Sequence, residues 1–292
     1  MIIAATVVLY NPQEDVFDNI CSYGNLIDYL IVVDNSVTVN QNLKLKLQNK
    51  FQSKLFYIEN NENLGIAKAL NIGTNKAVEL RSAWNLTMDQ DSRFINFEHY
   101  IKCLASIQGH NNIGLLSANT TRNAIALLPD NPTFDFEERK LVITSANFVN
   151  LGFFKQVGGY EEKLFIDLVD FDFCLKLRLQ KLKILYFKDV LVEHNLGEVF
   201  KRRNILSRKI KEKREHSPQR AYYIARNHLF MAMKYRKLFP KEFSFLKIIN
   251  IVFIHDVTKI LLYEDHKLDK LRAKLIAFVH FINRRFGKYE IQ

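Results

Sequence analysis

Two carboxylates one residue apart, Asp89 and Asp91, end an apolar run that begins at Trp84. A run of this length and composition is typical of a buried strand. A strand that stops on two acids places hard oxygen ligands at the edge of a sheet, where a divalent cation such as Mg²⁺ or Mn²⁺ and a diphosphate could share them. A turn with two solvated acids is the alternative explanation.

Polar residues also follow the first two apolar runs of the chain. Tyr10 and Asn11 come directly after residues 2–9, and Asp34 comes directly after residues 29–33. Because ligands bind at the carboxyl ends of parallel strands, we expect these side chains to lie along one edge of a sheet. Asp34 can accept a hydrogen bond from the N3–H of a uracil or thymine ring. It can equally cap the turn that follows it.

The segment 57–73 adds a third polar region with helical spacing. Asn63 stands at a predicted N-cap, and Gly65 permits a close approach of the backbone. Together with Asn71 and Gly73, this pattern would place the N-terminus of a helix beside a bound nucleotide and the small residues of that helix against the sheet. It matches neither the Gly-x-Gly-x-x-Gly fingerprint nor a Walker A loop, which argues against dinucleotide and ATP sites.

The elements that must position these residues alternate along the chain. Further strands are predicted at 113–118, 141–150, 182–187 and 189–194. Helices are predicted at 14–27, 94–108 and from about Val169. Nearly continuous apolar strands that alternate with helices indicate an α/β fold whose mostly parallel sheet is covered on both faces.

Four motifs in order carry a resemblance to a known family. They are Tyr10-Asn11-Pro12, Val33-Asp34-Asn35-Ser36, Asn63-Leu64-Gly65 through Gly73, and Met88-Asp89-Gln90-Asp91-Ser92. Their order and spacing resemble those of inverting family 2 glycosyltransferases with the GT-A fold, over about residues 1–230. The Asp-Gln-Asp-Ser form looks most like the rhamnosyltransferase branch.

The resemblance implies a Rossmann-like GT-A domain over residues 1–200 and a basic helical extension over residues 201–292. It also implies which residues contact the nucleotide-sugar donor. These are Tyr10, Asn11, Asp34, Asn63, Gly65, Asn71, Asp89 and Arg226.

Three more carboxylates, Asp167, Asp170 and Asp172, surround the start of the helix predicted from Val169. In the first turn of that helix, the helix dipole would stabilise Asp170 as a carboxylate. Inverting sugar transfer needs a base that removes the proton of the acceptor hydroxyl. On the family's Glu-Asp-x-Asp pattern, Asp170 takes the base position and Asp172 the following acid. Val169 replaces the usual Glu, which leaves Asp167 as a rival base. Helix capping is the alternative role for each acid.

A histidine, His194, ends the run that begins at Asp189. A lone histidine is more often structural than a ligand. The family has a His-x-x-Gly motif at this point, near the metal and the diphosphate, which His194 and Gly197 match. The resemblance therefore adds His194 to Asp89 and Asp91 as a metal ligand.

The positive charge is concentrated in the last third. The chain carries a formal net charge of +11, and residues 201–292 hold 23 Lys and Arg against 8 Asp and Glu. Such an excess favours nucleic acid, an anionic membrane surface or anionic substrates. Residues 245–257 carry an apolar stripe interrupted by charges, which fits either a buried helix or one at a membrane interface.

The start of the chain lacks a basic region before its apolar run, and no uncharged apolar run reaches the roughly 18 residues of a membrane span. The three cysteines are far apart and lack metal-ligand spacing, which suggests a reducing compartment. We therefore expect a cytoplasmic protein, with peripheral contact at the inner face of the plasma membrane through its basic C-terminal helices.

The expected function is inverting transfer of a hexose, rhamnose favoured, from a dTDP- or UDP-sugar. The acceptor would be a saccharide or lipid-linked saccharide in surface polysaccharide synthesis. A degenerate transferase that binds nucleotide-sugar without turnover is one alternative. A nucleotidyltransferase is another, although residues 10–14 lack the glycine-rich basic loop that it would use. A nucleic-acid-binding protein is disfavoured because it would not explain the acidic strand ends. The sequence does not determine the oligomeric state.

Overall fold

The structure is a computed structural model, and it describes residues 1–122, 124–194, 200–203, 210–213 and 216–289. The described residues form two compact units. The first contains Met1–Glu162 and the segment from Val169 to His194. The second contains Lys163–Leu168 and the described residues from Phe200 onward.

The first unit alternates strands and helices, as the sequence predicts. Its strands are β1 (Ile3–Leu9), β2 (Tyr29–Asp34), β3 (Leu55–Glu59), β4 (Trp84–Asp89), β5 (Ser92–Phe94), β6 (Ile113–Thr121), β7 (Glu137–Glu138), β8 (Asn147–Asn150) and β9 (Lys183–His194). Its helices are α1 (Val16–Gly24), α2 (Gln41–Phe51), α3 (Ile66–Glu79), α4 (Phe97–Ser106), α5 (Leu151–Phe154) and α6 (Val169–Leu179).

These strands form one mixed sheet in the order β3-β2-β1-β4-β8-β6-β9-β5, with β7 paired to β9. Strands β1 to β4 are parallel, whereas β8 runs antiparallel to β4 and to β6. Leu9 pairs with Asp34, and Val8 pairs with Asp89. The polar strand ends therefore lie at one edge of the sheet, which confirms the expectation from the sequence.

Strand β1 is buried on both faces, as its unbroken apolar run predicts. Ile3 and the odd-numbered residues that follow it belong to the main hydrophobic core. On the opposite face, Thr6 lies against α3, where a Cβ on Gly73 would come within 2.2 Å of the Thr6 Cγ2 atom. The small residue at position 73 thus lets α3 pack closely against the sheet.

The strand predicted at 141–150 is shorter in the structure, where β8 covers only Asn147–Asn150. Ala146 has a φ of 63°, and the side chain of Asn147 donates a hydrogen bond to the Ile143 carbonyl. The chain therefore turns just before β8. The strands predicted at 182–187 and 189–194 form instead one 12-residue strand, β9, with an irregular register against β6.

The second unit is mainly helical. Its elements are β10 (Phe200–Arg203), β11 (Ile210–Lys213), α7 (Pro218–Tyr235), α8 (Phe245–Ile249), α9 (Asp256–Tyr263) and α10 (Lys267–Ile282). A π-helical turn, Asn250–His255, joins α8 to α9. Ser217 caps α7 by accepting a hydrogen bond from the Arg220 amide at 3.2 Å. Among the described residues, no helix combines the length and apolar character needed to cross a bilayer.

Candidate active site

Asp89, Asp91 and His194 come together at the carboxyl edge of the sheet. One ligand atom from each lies within 4.8 Å of the other two. The Nδ1 atom of His194 is 3.5 Å from the Asp91 Oδ1 atom. Strand β9 brings the histidine there, because its last residue pairs with Ser92 at the start of β5. Gly197, which the resemblance places in the same motif, lies outside the described residues.

A chain of hydrogen bonds supports this group from behind. The Asp89 amide donates to Ser145 Oγ at 3.2 Å, and the Ser145 hydroxyl donates to Ser92 Oγ at 2.7 Å. Ser92 Oγ and His194 Nδ1 are joined by a hydrogen bond of 2.5 Å. Both serines are fully buried. This pair could not be found from the sequence, because the two serines are 53 residues apart and meet only when the chain turns before β8.

The electrostatics of the group favour a bound cation. Burial and, to a smaller extent, the neighbouring charge of Asp91 raise the pKa of the Asp89 carboxyl from 3.8 to about 6. Asp170 acts in the same direction, whereas His194 opposes the shift. Two like charges are thus held close together, and a bound cation would relieve their repulsion. A donor set of two carboxylates and one imidazole suits a divalent cation such as Mn²⁺ or Mg²⁺.

Gln90, between the two metal-ligand candidates, ties β4 to β1. Its Oε1 atom accepts from the Tyr10 amide at 2.8 Å, and its Nε2 atom donates to the Tyr10 carbonyl at 3.1 Å. The Asn11 amide donates to Ser36 Oγ at 2.8 Å. The backbone of Tyr10 and Asn11 is therefore fixed, while both side chains are exposed.

Asp34, at the end of β2, is completely buried. Its Oδ1 atom accepts from the Ser36 amide at 2.9 Å, and its Oδ2 atom accepts from the Tyr57 hydroxyl at 2.7 Å. Burial and the hydrogen bond to Asp34 raise the pKa of Tyr57. The turn-capping role is therefore present. Each carboxylate oxygen also retains a lone pair for a further donor.

The N-cap of α3 is Gly65 rather than the predicted Asn63. Gly65 has a φ of 81°, and its amide donates to the Asn63 side chain at 2.9 Å. Asn71 lies further along α3 and bonds to the backbone of Tyr160, accepting at 2.8 Å and donating at 2.9 Å. Asn71 also donates to Glu162 at 2.9 Å. Its amide thus joins α3 to the turn after α5.

The three acids of the second carboxylate cluster have different partners. Asp170 lies in the first turn of α6, is partly exposed, and accepts a hydrogen bond from the Phe171 amide at 2.8 Å. Asp172 is completely buried and forms an ion pair with Lys176 at 3.0 Å. Asp167 belongs to the second unit, where it pairs with Arg220 at 3.0 Å.

Arg226 also belongs to the second unit and is almost entirely buried. Its guanidinium donates to the carbonyls of Lys163, Leu164 and Gly287 at 3.0, 3.1 and 2.7 Å. Asn227 donates to the Leu164 carbonyl at 2.9 Å. These bonds hold the short segment Lys163–Leu168 against α7, so Arg226 has a structural role within the second unit.

Comparison with known proteins places this geometry in context. No family model matches the chain. The chain is 28% identical to the dTDP-rhamnosyl transferase RfbF of Shigella flexneri over 94% of its own length and 93% of the relative.

Solved glycosyltransferase structures share the fold. The mannosyltransferase PcManGT of Pyrobaculum calidifontis, in complex with GDP-Man and Mn²⁺, is 12% identical with a TM-score of 0.59, and the match covers 95% of this chain and 75% of PcManGT. S. aureus TarS 1–349 in complex with UDP-GlcNAc is 16% identical with a TM-score of 0.58, over 97% of this chain and 81% of that one. The chain spans less than half of some longer solved structures, including 44% of GalNAc-T7.

The fold, the ordered strand-end motifs and the curated relative agree with one another. The sheet is the mostly parallel one of the GT-A fold, and its acidic edge contains the Asp-Gln-Asp-Ser motif beside a histidine. The chain is a glycosyltransferase with the GT-A fold, similar along nearly its whole length to a dTDP-rhamnosyl transferase.

Proposed function

We propose that the chain transfers a hexose, with L-rhamnose favoured, from a dTDP- or UDP-linked donor to a hydroxyl group of a saccharide or lipid-linked saccharide. The observation that carries the proposal is the group of Asp89, Asp91 and His194 at the carboxyl edge of a GT-A sheet. The similarity to a dTDP-rhamnosyl transferase along nearly the whole chain supports rhamnose as the sugar.

Asp91, Asp89 and His194 would hold a Mn²⁺ or Mg²⁺ ion. When bound, such an ion neutralises the negative charge that develops on the departing nucleotide diphosphate. Mn²⁺ accompanies the sugar nucleotide in the PcManGT structure, which supports Mn²⁺ as the first ion to test. The buried serines behind the group keep the imidazole and the Asp89 backbone in fixed positions.

The remaining strand-end residues would bind the nucleotide. Asp34 would accept the N3–H of thymine or uracil, which adenine lacks, and because its side chain is completely buried, the base must displace the groups that cover it. The exposed side chains of Tyr10 and Asn11 and the backbone around Asn63 and Gly65 lie on elements that end at the same edge. Asn71 and Arg226 already bond to protein backbone, so we assign them an indirect role through the loops that they hold.

Asp170 would act as the base. It would take the proton of the acceptor hydroxyl while that oxygen attacks the anomeric carbon from the face opposite the diphosphate. The new glycosidic bond forms as the bond to the diphosphate oxygen breaks, which inverts the configuration. Asp172 is less suited to this role because its side chain is completely buried, and Asp167, in the second unit, stays the rival base.

The acceptor would be a precursor of a surface polysaccharide. A lipid-linked precursor is available at the inner face of the plasma membrane, so we propose that the chain works there. The excess of Lys and Arg in residues 201–292 supports a peripheral contact with that surface.

A thermal-shift panel of dTDP, UDP, GDP and ADP, with and without Mn²⁺, tests the proposed donor site. A ligand that binds the folded state raises its apparent stability. We expect Mn²⁺-dependent stabilisation by dTDP or UDP that is lost in Asp91→Ala. It should persist in Glu79→Ala, which removes an exposed carboxylate from the far end of α3. Stabilisation only by GDP or ADP, or by no nucleotide, would contradict the proposed donor.

A turnover assay distinguishes an active glycosyltransferase from a degenerate transferase and from a nucleotidyltransferase. Incubation of dTDP-rhamnose with the enzyme and a polysaccharide precursor should release dTDP. Nucleotide binding without dTDP release would indicate the degenerate transferase. Release of inorganic pyrophosphate from a nucleoside triphosphate and a sugar phosphate would indicate the nucleotidyltransferase.

A further inference from the structure

Helix α10 carries charge on its buried face. Lys270 is 1% exposed and forms an ion pair with Glu264 at 2.9 Å. Lys274 donates to the Val252 carbonyl at 3.0 Å and pairs with Asp256 at 3.2 Å. Burial of lysines is uncommon unless they are paired, and these two are paired. The buried face of α10 is thus held by specific polar contacts.

The opposite face of α10 is apolar and open to solvent. Leu268, Leu275, Val279 and Ile282 are 82%, 65%, 52% and 60% exposed. Their spacing of seven, four and three residues places them along one side of the helix. We call these four residues the apolar face of α10. A helix that packs only against its own chain normally buries its apolar side chains and exposes its charged ones. The exposed apolar face of α10 therefore requires a partner outside the described chain.

The π-helical turn and α8 also carry large apolar side chains at the surface. Phe278, at the border of the apolar face, packs edge to face on Phe253 with ring centroids 5.7 Å apart. The next residue, Ile254, is exposed, as is Leu246 on α8. The π-helical turn and α8 therefore also present large apolar side chains to solvent.

Basic residues outnumber acidic ones around this surface, and two of the acids are paired with buried lysines. Residues 245–289 contain nine Lys and Arg against four Asp and Glu. Glu264 pairs with Lys259 and Lys270, and Asp256 pairs with Lys274. Lys267 and Arg272 on α10 are exposed, and Arg284 and Arg285 beyond its end are exposed as well. Asp265 and Asp269 are exposed too, but they are outnumbered, so the net outward charge beside the apolar face is positive.

Apolar side chains bordered by exposed Lys and Arg match an anionic lipid surface. Leucine and isoleucine side chains insert at the boundary between headgroups and acyl chains, while basic residues attract the headgroups. A second copy of the chain would bring like charges together, and Lys is depleted at protein interfaces. The charge distribution thus favours lipid over self-association.

We infer that the apolar face of α10 docks on an anionic membrane leaflet, with Arg272 and the arginines after the helix on the headgroups. The inference deepens the proposed function, since it assigns the surface that brings the enzyme to a lipid-linked acceptor. Docking needs neither donor nor metal. A failed vesicle experiment and a failed nucleotide experiment therefore have separate meanings.

The test is sedimentation of the full chain with phosphatidylcholine vesicles that contain or lack phosphatidylglycerol. We expect binding to the anionic vesicles and at least about tenfold weaker binding by the double variant Leu275→Gln, Val279→Gln, given the apolar area withdrawn from the lipid. Leu45→Gln, an equally conservative change at an exposed leucine of α2, should bind like the unmodified chain. The double variant should retain nucleotide-dependent thermal stabilisation, because its two positions are exposed and neither is among the residues proposed to bind the donor or the metal.

Three results would overturn the inference. The first is no binding of the unmodified chain to anionic vesicles. The second is equal binding by the double variant. The third is a dimer, measured by light scattering without lipid, that the double variant converts to a monomer, since that would assign the apolar face to a second copy.

Discussion

At the scale of single residues, the assignment of the base gives the sharpest prediction. Asp170→Asn removes the proton acceptor but keeps the size of the side chain, so turnover should fall by roughly 10²–10⁴-fold. Asp167→Asn should have a much smaller effect, because that carboxylate is paired with Arg220. Steady-state kinetics of both variants, with dTDP binding as the check on folding, decides between the two acids. A greater loss in Asp167→Asn would reverse the assignment.

Ser92 should tune the metal site without binding the metal. Its hydroxyl is bonded to His194 Nδ1 and accepts from Ser145, so Ser92→Ala leaves the imidazole without that support. Loss of a group that orients a ligand typically costs about 10–100-fold in metal affinity. We expect a loss of this size for Mn²⁺ by calorimetry, and none in Ser53→Ala, which alters an exposed serine. Unchanged affinity in Ser92→Ala would remove the serine from the site.

Proton binding at Asp89 should compete with the metal. The pKa of this carboxyl is about 6 without metal, above its ordinary value of 3.8, because it is buried beside Asp91. Below pH 6 a proton must leave before the cation binds, so Mn²⁺ affinity should fall by up to about tenfold per pH unit. Calorimetric titrations between pH 5 and pH 8 measure this slope. A flat profile would contradict it.

The raised pKa of Asp89 also affects the stability of the metal-free protein. A carboxyl whose pKa is raised on folding destabilises the metal-free protein above that pKa, and this cost disappears as the pH falls through 6 towards 3.8. Asp89→Asn should therefore stabilise the metal-free protein at pH 7 and make little difference near pH 4. Urea unfolding at the two pH values measures the difference.

At the scale of elements, the close packing of α3 on β1 depends on the absence of a Cβ atom at Gly73. A Cβ at position 73 would lie 2.2 Å from Thr6 Cγ2, so Gly73→Ala must displace the helix or the strand. Overpacking of this kind typically costs about 1–3 kcal/mol. Chemical denaturation should show this loss, whereas Lys68→Ala on the exposed side of α3 should be nearly neutral. Wild-type stability in Gly73→Ala would mean that the helix adjusts freely.

Local sequence patterns predict helices and strands well where a single hydrophobic periodicity dominates the segment. The unbroken apolar runs of β1, β2 and β4 and the helical spacing of α3 sufficed to place the strand ends that form the acidic edge. The prediction of a strand over 141–150 failed because Ala146 adopts a left-handed conformation just before β8, which the apolar composition of the run does not indicate. Only the pairing of Asn147 to Thr87 shows where the ladder begins.

Side-chain partners were the least predictable part of the site. The resemblance implied that Arg226 contacts the donor, yet in the structure its guanidinium bonds to three carbonyls far away in sequence. Ser145 and Ser92 likewise meet through long-range folding. Such contacts depend on which loops the sheet topology brings together, and residue types do not encode that directly.

At the scale of the whole molecule, the net charge of +11 makes weak attraction to any polyanion unavoidable. Two kinds of binding should nevertheless respond differently to salt. Attraction to heparin or DNA arises from counterion release alone, and it should be lost as salt rises from about 0.05 to 0.5 M. Binding to anionic vesicles should weaken over the same range but persist, because the inserted side chains of α10 contribute a part that salt does not screen.

Parallel heparin chromatography and vesicle sedimentation across that salt series measure the two responses. The double variant Leu275→Gln, Val279→Gln serves as the control, since it keeps every charge and should behave as a purely electrostatic binder on both surfaces. Retention on DNA at high salt with sequence preference would instead favour a nucleic-acid function. Residual vesicle binding at high salt that depends on Leu275 and Val279 would tie the positive charge of the last third to a membrane role.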